Sequence, residues 1–163
     1  MVNPFRGVTD KSTYFISANC VEKKFLLQSH RMAGLLVEVL LHYRSQNKYL
    51  LHEFVVMPNH FHLLITPSES TLEKCMQFIK GGFSFRAKKE LKFIWTIWQS
   101  SFHDRRMRNM NEYQKYQRYI NSNPVSKKLC MKPEDWEYSS VSGKYLLDPV
   151  PKALQATDLQ NKQ

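Results

Sequence analysis

The stretch Phe54-Val55-Val56-Met57-Pro58-Asn59-His60-Phe61-His62-Leu63-Leu64-Ile65 constrains this chain more than any other. Two apolar runs rich in β-branched and aromatic residues flank Pro58-Asn59, and a Pro-Asn pair between such runs marks a tight connection between antiparallel strands. The expectation is a hairpin with arms over residues 49–57 and 60–66. Side chains alternate across a strand, so His60 and His62 share one face while Phe61 and Leu63 take the other. Two imidazoles side by side on an otherwise apolar strand supply two nitrogen ligands for a divalent metal. A His-x-His pair taken alone is more often a solvated strand face, and the rest of the sequence has to decide between the two.

The remaining pattern builds a sheet around that hairpin. Residues 13–18 (Thr-Tyr-Phe-Ile-Ser-Ala) read as a first strand. Ser29 is placed to cap a helix over residues 30–46, where Leu35, Leu36, Val39, Leu40 and Tyr43 recur at helical spacing. His42 falls on its surface, and His52 falls outside the candidate site. Ser70 or Thr71 starts a second helix with Leu72, Cys75, Met76, Phe78 and Ile79 as its apolar face. Gly81-Gly82 within it predicts a kink or a close backbone approach. Residues 93–102, with Trp95, Ile97 and Trp98, read as the fourth strand, and residues 111–123 as a last helix stopped by Pro124. The order strand, helix, strand, strand, helix, strand gives an α+β, ferredoxin-like (β-α-β-β-α-β) antiparallel sheet with helices on one face, plus a C-terminal helix carrying tyrosines. One domain over 1–147 is expected, and the loss of periodicity from Asp148 suggests a flexible tail over 148–163.

Charge points to a polyanionic partner. Lysine and arginine total 24 against 14 acidic residues, a net charge of +10, and these cations are interleaved with Phe, Trp and Tyr, as nucleic-acid binding requires. Cys20, Cys75 and Cys130 show no Cys-x-x-Cys spacing, which argues against a zinc knuckle or a disulfide framework. No apolar run reaches the length of a membrane span and no signal pattern opens the chain, so the expected setting is cytoplasmic, at the nucleoid, with no membrane partner.

Four blocks carry a family resemblance. Val56-Met57-Pro58-Asn59-His60-Phe61-His62-Leu63-Leu64 resembles the His-hydrophobic-His ("HUH") motif of single-tyrosine transposases, in particular the REP-associated tyrosine transposases related to small insertion-sequence transposases. Trp98-Gln99-Ser100-Ser101-Phe102-His103-Asp104-Arg105 is similar to that group's WQ-x-SFHDR stretch, and Tyr119-Ile120-Asn121-Ser122-Asn123-Pro124-Val125 to its YI-x-x-NPV stretch. Trp136-Glu137-Tyr138-Ser139-Ser140 resembles its closing W-x-x-SS segment. Four blocks in family order are far more specific than any one of them.

The residues and the resemblance then converge on a chemistry. Tyr113, Tyr116 and Tyr119 recur every three residues on one helix, and spacing alone does not choose among them. Tyr119 has Asn123 four residues on, on the same helix face, and it occupies the position that the resemblance assigns to the covalent nucleophile. His60, His62 and Asn123 are the candidate ligands for Mg2+ or Mn2+, since imidazole and amide oxygen suit such ions better than a thiolate-rich site would. The resemblance implies attack on single-stranded or hairpin DNA, with repetitive extragenic palindromes as the group's targets, a 5′-phosphotyrosine intermediate, strand transfer by a monomer, and the ferredoxin-like fold. Arg105, Arg106 and Arg108 are candidate phosphate contacts, as are Arg86, Lys88 and Lys89, although a charge run on a helix is usually a solvated face. Two other readings stand beside this one: a non-catalytic ferredoxin-like nucleic-acid-binding protein, and a metal-dependent nuclease that uses water.

Overall fold

The computed structural model describes residues 11–160. Strand β1 (Tyr14–Asn19) leads to helix α1 (His30–Ser45), the hairpin of β2 (Tyr49–Met57) and β3 (His60–Pro67), helix α2 (Leu72–Leu91), strand β4 (His103–Arg106), helix α3 (Met110–Ser126) and helix α4 (Lys152–Gln160). The strands form one antiparallel sheet in the order β2-β3-β1-β4. This is the ferredoxin-like α+β fold that the element order predicts, with the Pro58-Asn59 turn where expected.

Alternation along the strands makes two apolar layers. Ile16, Ala18, Phe54, Val56, Phe61, Leu63 and Ile65 face α1 and α2 and form the larger core. Val55, Met57 and Leu64 face the other way, against Tyr113 and Ile120 of α3 and Leu154 of α4. A bulge between Leu51 and Glu53 shifts the register of β2, so His52 and Glu53 both reach the α3 side. There His52 lies edge-on to Tyr113, and Glu53 accepts a 2.6 Å hydrogen bond from Gln117 Nε2. The helices start on side-chain caps: Ser29 accepts from the Met32 amide, Thr71 from Lys74 and Asn109 from Glu112.

Three expectations differ from what is found. The fourth strand is His103–Arg106, not residues 93–102. Residues 93–102 are irregular and apolar for another reason: Ile97 and Trp98 pack on the core while the backbone is tied to the loop after β1 through Val21 N to Ile97 O (2.8 Å) and Gln99 N to Asn19 O (3.0 Å). The true β4 is a short, charged edge strand, and such strands lack an apolar signature. Helix α3 does not end before Pro124 but continues to Ser126, because the proline falls in the last turn, where losing one N–H costs a single bond. Residues 148–160 are not the loose tail expected of them. Asp148 accepts from Arg44 Nε and Nη2 at 2.8 and 2.9 Å and from the Leu51 amide at 2.8 Å, and α4 buries Leu154. Residues 1–10 and 161–163, the outer ends of the expected domain and tail, lie outside the described residues.

The glycine pair resolves into a close approach rather than a kink. Helix α2 runs unbroken through Gly81 and Gly82, and a Cβ at Gly82 would sit 2.6 Å from the hydroxyl of Tyr43 on α1 and 2.8 Å from its ring, whereas one at Gly81 would meet nothing within 4 Å. Gly81→Ala is therefore expected to stabilise by up to about 1 kcal/mol through helix propensity. Gly82→Ala is expected to destabilise by about 1–3 kcal/mol through overpacking, and Tyr43→Leu in the same chain to recover most of the loss. Urea denaturation midpoints of the four proteins check both statements.

Candidate active site

Strand β3 is an inner strand, and its α3-facing positions carry the two histidines. His62 pairs with Val55 on one side and Ser17 on the other, and His60 with Met57 and Asn19. The β2 neighbours are apolar and the β1 neighbours small or polar, so the ground beside the imidazoles on the β1 side is open to a polar ligand. The two ring centroids are 4.7 Å apart. His62 also stacks on Phe15 of β1 at 5.3 Å.

Helix α3 brings the third and fourth groups. Tyr113 and Ile120, seven residues and nearly two turns apart, are buried against the sheet and fix the helix across it. Tyr119 follows on the rim, 47% exposed, with its ring 5.2 Å from that of His62 and 5.9 Å from that of Phe15. Asn123, one turn later, is 4% exposed and close enough to His60 to raise its proton affinity. The structure thus brings His60, His62, Tyr119 and Asn123 to the wall of one cleft of about 560 Å3, which Lys23 and Lys127 also line. A second cleft of about 370 Å3 shares His62 and Tyr119 and adds His103, Lys115 and Tyr116. Tyr119 stands between the two.

The other tyrosines are separated by packing. Tyr113 is buried beside His52, and burial together with the nearby Glu53 pushes its phenol well above the usual tyrosine range. Tyr116 tilts onto Phe15 at 4.5 Å, with Arg105 5.9 Å from its ring. Of the three, only Tyr119 has a ring contact with His62.

Electrostatics keeps both imidazoles neutral. Burial lowers the pKa of His60, against an opposing pull from Asn123, with Lys127 and Lys23 adding to the fall. Burial and the neighbouring His60 take His62 down to about 3. Neutral imidazoles are the form in which histidine binds metals. Moreover, Nδ1 and Nε2 of His62 and Oδ1 of Asn123 are buried without a hydrogen-bond partner among the described residues. Each such group costs about 1–3 kcal/mol, and groups of this kind call for an explanation such as an ion. His60, His62 and Asn123 offer the nitrogen and oxygen donors that a Mg2+ or Mn2+ ion takes while leaving other positions open. Among the described residues no third His, Cys, Asp or Glu joins the pair, and the polar side chain buried beside it is the Asn123 amide.

The candidate phosphate contacts divide into two groups. Arg105, Arg106 and Arg108 line a groove of about 840 Å3 beside β4, together with Lys11. Arg105 also pairs with Glu112 at 3.1 Å. Arg86 is held by Glu38 and Glu90, each at 2.7 Å, in the α1–α2 layer, and Lys88 and Lys89 are exposed on the last turn of α2. That layer covers the opposite face of the sheet, so Arg86, Lys88 and Lys89 are not brought to the histidines. Sequence reasoning missed Lys23, Lys127 and Phe15. Lys23 enters through a turn in which Glu22 and Lys23 both have positive φ, which no pattern announces. Lys127 lies one turn beyond Asn123 and becomes legible once the helix is carried past Pro124.

A family model described as "Transposase IS200 like" matches residues 10–123, a span that holds all four site residues. The chain belongs to the IS200-like transposase family. Two solved structures share the fold. A REP-associated tyrosine transposase bound to a REP hairpin superposes with a TM-score of 0.72 at 23% identity, covering 93% of this chain and 92% of that one. A protein of Deinococcus radiodurans R1, described as a candidate transposase, superposes with a TM-score of 0.52 at 21% identity, covering 73% of this chain and 95% of that one. No curated protein matches the chain. The first of these likenesses covers nearly the whole chain, so this IS200-like transposase shares its overall fold with that hairpin-bound protein.

The depressed pKa of His62 has a consequence for stability. In the unfolded chain this ring takes up its proton near the ordinary 6.5, whereas folded it does so only near 3. Its contribution is therefore complete above about pH 6.5 and is lost progressively as pH falls toward 3. Metal-free protein should lose urea stability over that window, and His62→Leu, which removes the titrating group and its unmatched nitrogens, should show a shallower fall. Parallel pH profiles for the two proteins would mean that folding leaves the proton affinity of the ring near its ordinary value.

Proposed function

We propose that this IS200-like transposase cleaves and rejoins single-stranded DNA through a covalent 5′-phosphotyrosine on Tyr119, with Mg2+ or Mn2+ held by His60, His62 and Asn123. The observation that carries the reading is the exposed Tyr119 ring 5.2 Å from His62, beside buried imidazole and amide atoms that lack partners. A binding module has no use for such a constellation, which costs stability.

His60, His62 and Asn123 would hold the ion, which when bound would supply Lewis-acid stabilisation of charge at the phosphate. The chain's own residues do the rest. The Tyr119 oxygen forms the new bond to phosphorus as the bond to the 3′ oxygen of the leaving strand breaks. The phenol proton departs to solvent, to which the rim position gives access, and the leaving strand ends as a free 3′-hydroxyl. One phosphodiester replaces another, so the reverse attack by a 3′-hydroxyl restores DNA without a nucleotide cofactor. Lys23 and Lys127 hold the strand phosphates in the cleft, and Phe15 keeps His62 and Tyr119 in place from below.

For the substrate we take hairpin-forming DNA of the repetitive extragenic palindrome kind, supported by the hairpin in the similar solved structure. Arg105, Arg106 and Arg108 extend a basic path from the second cleft toward the β4 groove, and Lys88, Lys89 and Arg86 are left for a distal arm of the DNA. Because Tyr119 meets the histidines of its own chain, a monomer suffices. Among the described residues no helix is long and apolar enough to cross a membrane, and the proposed setting is the nucleoid in the cytoplasm.

Two outcomes are expected. Tyr119→Phe keeps its fold and its DNA affinity but forms no covalent adduct with single-stranded hairpin DNA and manganese on denaturing electrophoresis, while Tyr113→Phe and Tyr116→Phe still form it; His60→Ala and His62→Ala bind but do not cleave. Cleavage persisting in Tyr119→Phe would point to a water-using nuclease, and wild-type protein that binds without cleaving would point to a binding module. Affinity should also fall steeply with salt, and Lys23→Ala or Lys127→Ala should each reduce the slope of log K against log salt by about 1.

A further inference from the structure

The turn between the hairpin arms does more than connect them. His60 Nδ1 lies 2.6 Å from Oδ1 of Asn59. The other end of that amide, Nδ2, donates a long hydrogen bond of 3.4 Å to the carbonyl of Lys23. Turned over, the amide would set its oxygen against the Lys23 carbonyl oxygen, two acceptors face to face, so the contact fixes which atom His60 meets. An amide oxygen only accepts. His60 must therefore carry its proton on Nδ1, which leaves Nε2 as the one ring nitrogen with a free lone pair.

The amide is itself held. The loop after β1 grips the hairpin turn through Cys20 N to Asn59 O and Leu27 N to Pro58 O, both 2.9 Å, and the positive φ of Glu22 and Lys23 turns the Lys23 carbonyl toward Asn59. Asparagine alone among the polar side chains of its size donates at one end and accepts at the other, as this position requires. We propose that Asn59 is a positioning residue that holds His60 in the Nδ1–H tautomer and so presents Nε2 to the divalent cation. The inference rests on the metal reading above; the tautomer half can be tested without it. Metal-bound histidines generally have the second nitrogen engaged in this way, and losing that partner typically costs about 10–100-fold in metal affinity.

The test is long-range 1H–15N NMR of ring-labelled histidines in the full-length, metal-free chain, followed by Mn2+ titration read by electron paramagnetic resonance. The wild type should show His60 as a single Nδ1–H tautomer. Asn59→Ala should release the ring toward the Nε2–H form that unconstrained imidazole prefers and weaken Mn2+ binding by about 10–100-fold. Asn59→Asp, which keeps the acceptor toward His60 but loses the donor toward the Lys23 carbonyl, should restore the Nδ1–H tautomer and recover part of the Mn2+ affinity. His52, whose ring nitrogens are held by the Pro149 carbonyl and Thr66, reports that the variants are folded if its signals do not move. A wild-type His60 in the Nε2–H form, or an Asn59→Ala protein with unchanged tautomer and Mn2+ affinity, overturns the proposal. A wild type with the expected tautomer that binds no Mn2+ overturns the metal reading and, with it, the ligand half of this one.

Discussion

The seating of α3 on the sheet is the interaction on which the site depends. Tyr113 and Ile120 pack against Val55, Met57 and Leu64, and Gln117 reaches the Glu53 carboxylate, which Ser140 also contacts. The apolar contacts set how close the helix lies, and the polar clasp sets its rotation. Rotation matters because one step of a helix turns a side chain by about 100°. With Tyr113 and Ile120 facing inward, Tyr119 falls on the rim beside His62 and Asn123 turns in beneath it. The bulge in β2 belongs to the same device, since without it His52 and Glu53 could not both face α3.

The site is built at some expense of stability. A buried imidazole with two unmatched nitrogens and a buried amide oxygen beside it are arrangements that a chain selected for stability alone would replace by leucine. The surrounding packing tolerates them because Phe15 and Tyr119 cover the His62 ring from two sides and the large α1–α2 core lies untouched behind the sheet. The sheet itself separates the two: one face is a dense apolar core, and the other carries His60, His62 and the tyrosine helix.

The legible part of this fold was what periodicity encodes. The hairpin, both early helices with their caps and the tyrosine helix follow from alternation, 3.6-residue spacing and Ser or Thr at helix starts. Failures came where backbone pairing overrides composition. Residues 93–102 are rich in tryptophan and isoleucine yet pair mainly with a loop, while β4 is polar because it is an edge. Asp148 reads as the start of a polar tail, but its partners, Arg44 and the Leu51 amide, are about a hundred residues away and leave no local trace. At the site, His60 and His62 were legible from the strand period and Asn123 from the helical one. Lys23 was not, because a pair of left-handed residues carries it there.

Composition likewise measured the charge without locating it. A net charge of +10 favours a polyanion anywhere on the surface, but ion pairing sorts the cations. Arg86, the most prominent cation of the α2 run, lies between two carboxylates, so phosphate binding there would have to displace Glu38 and Glu90. Arg44 is likewise tied to Asp148. On the opposite face, Lys23 and Lys127 lie near enough to His60 to depress its proton affinity. Their field therefore reaches the place where a phosphate would sit. On the proposed function that field would serve two ends at once: it would draw the strand into the cleft, and it adds to the burial that lowers the proton affinity of the imidazole. The same pair of lysines would weaken, without abolishing, the binding of a divalent cation to the DNA-free chain, and on the proposed function an anionic strand would offset that repulsion, so metal and DNA are expected to bind with mutual reinforcement.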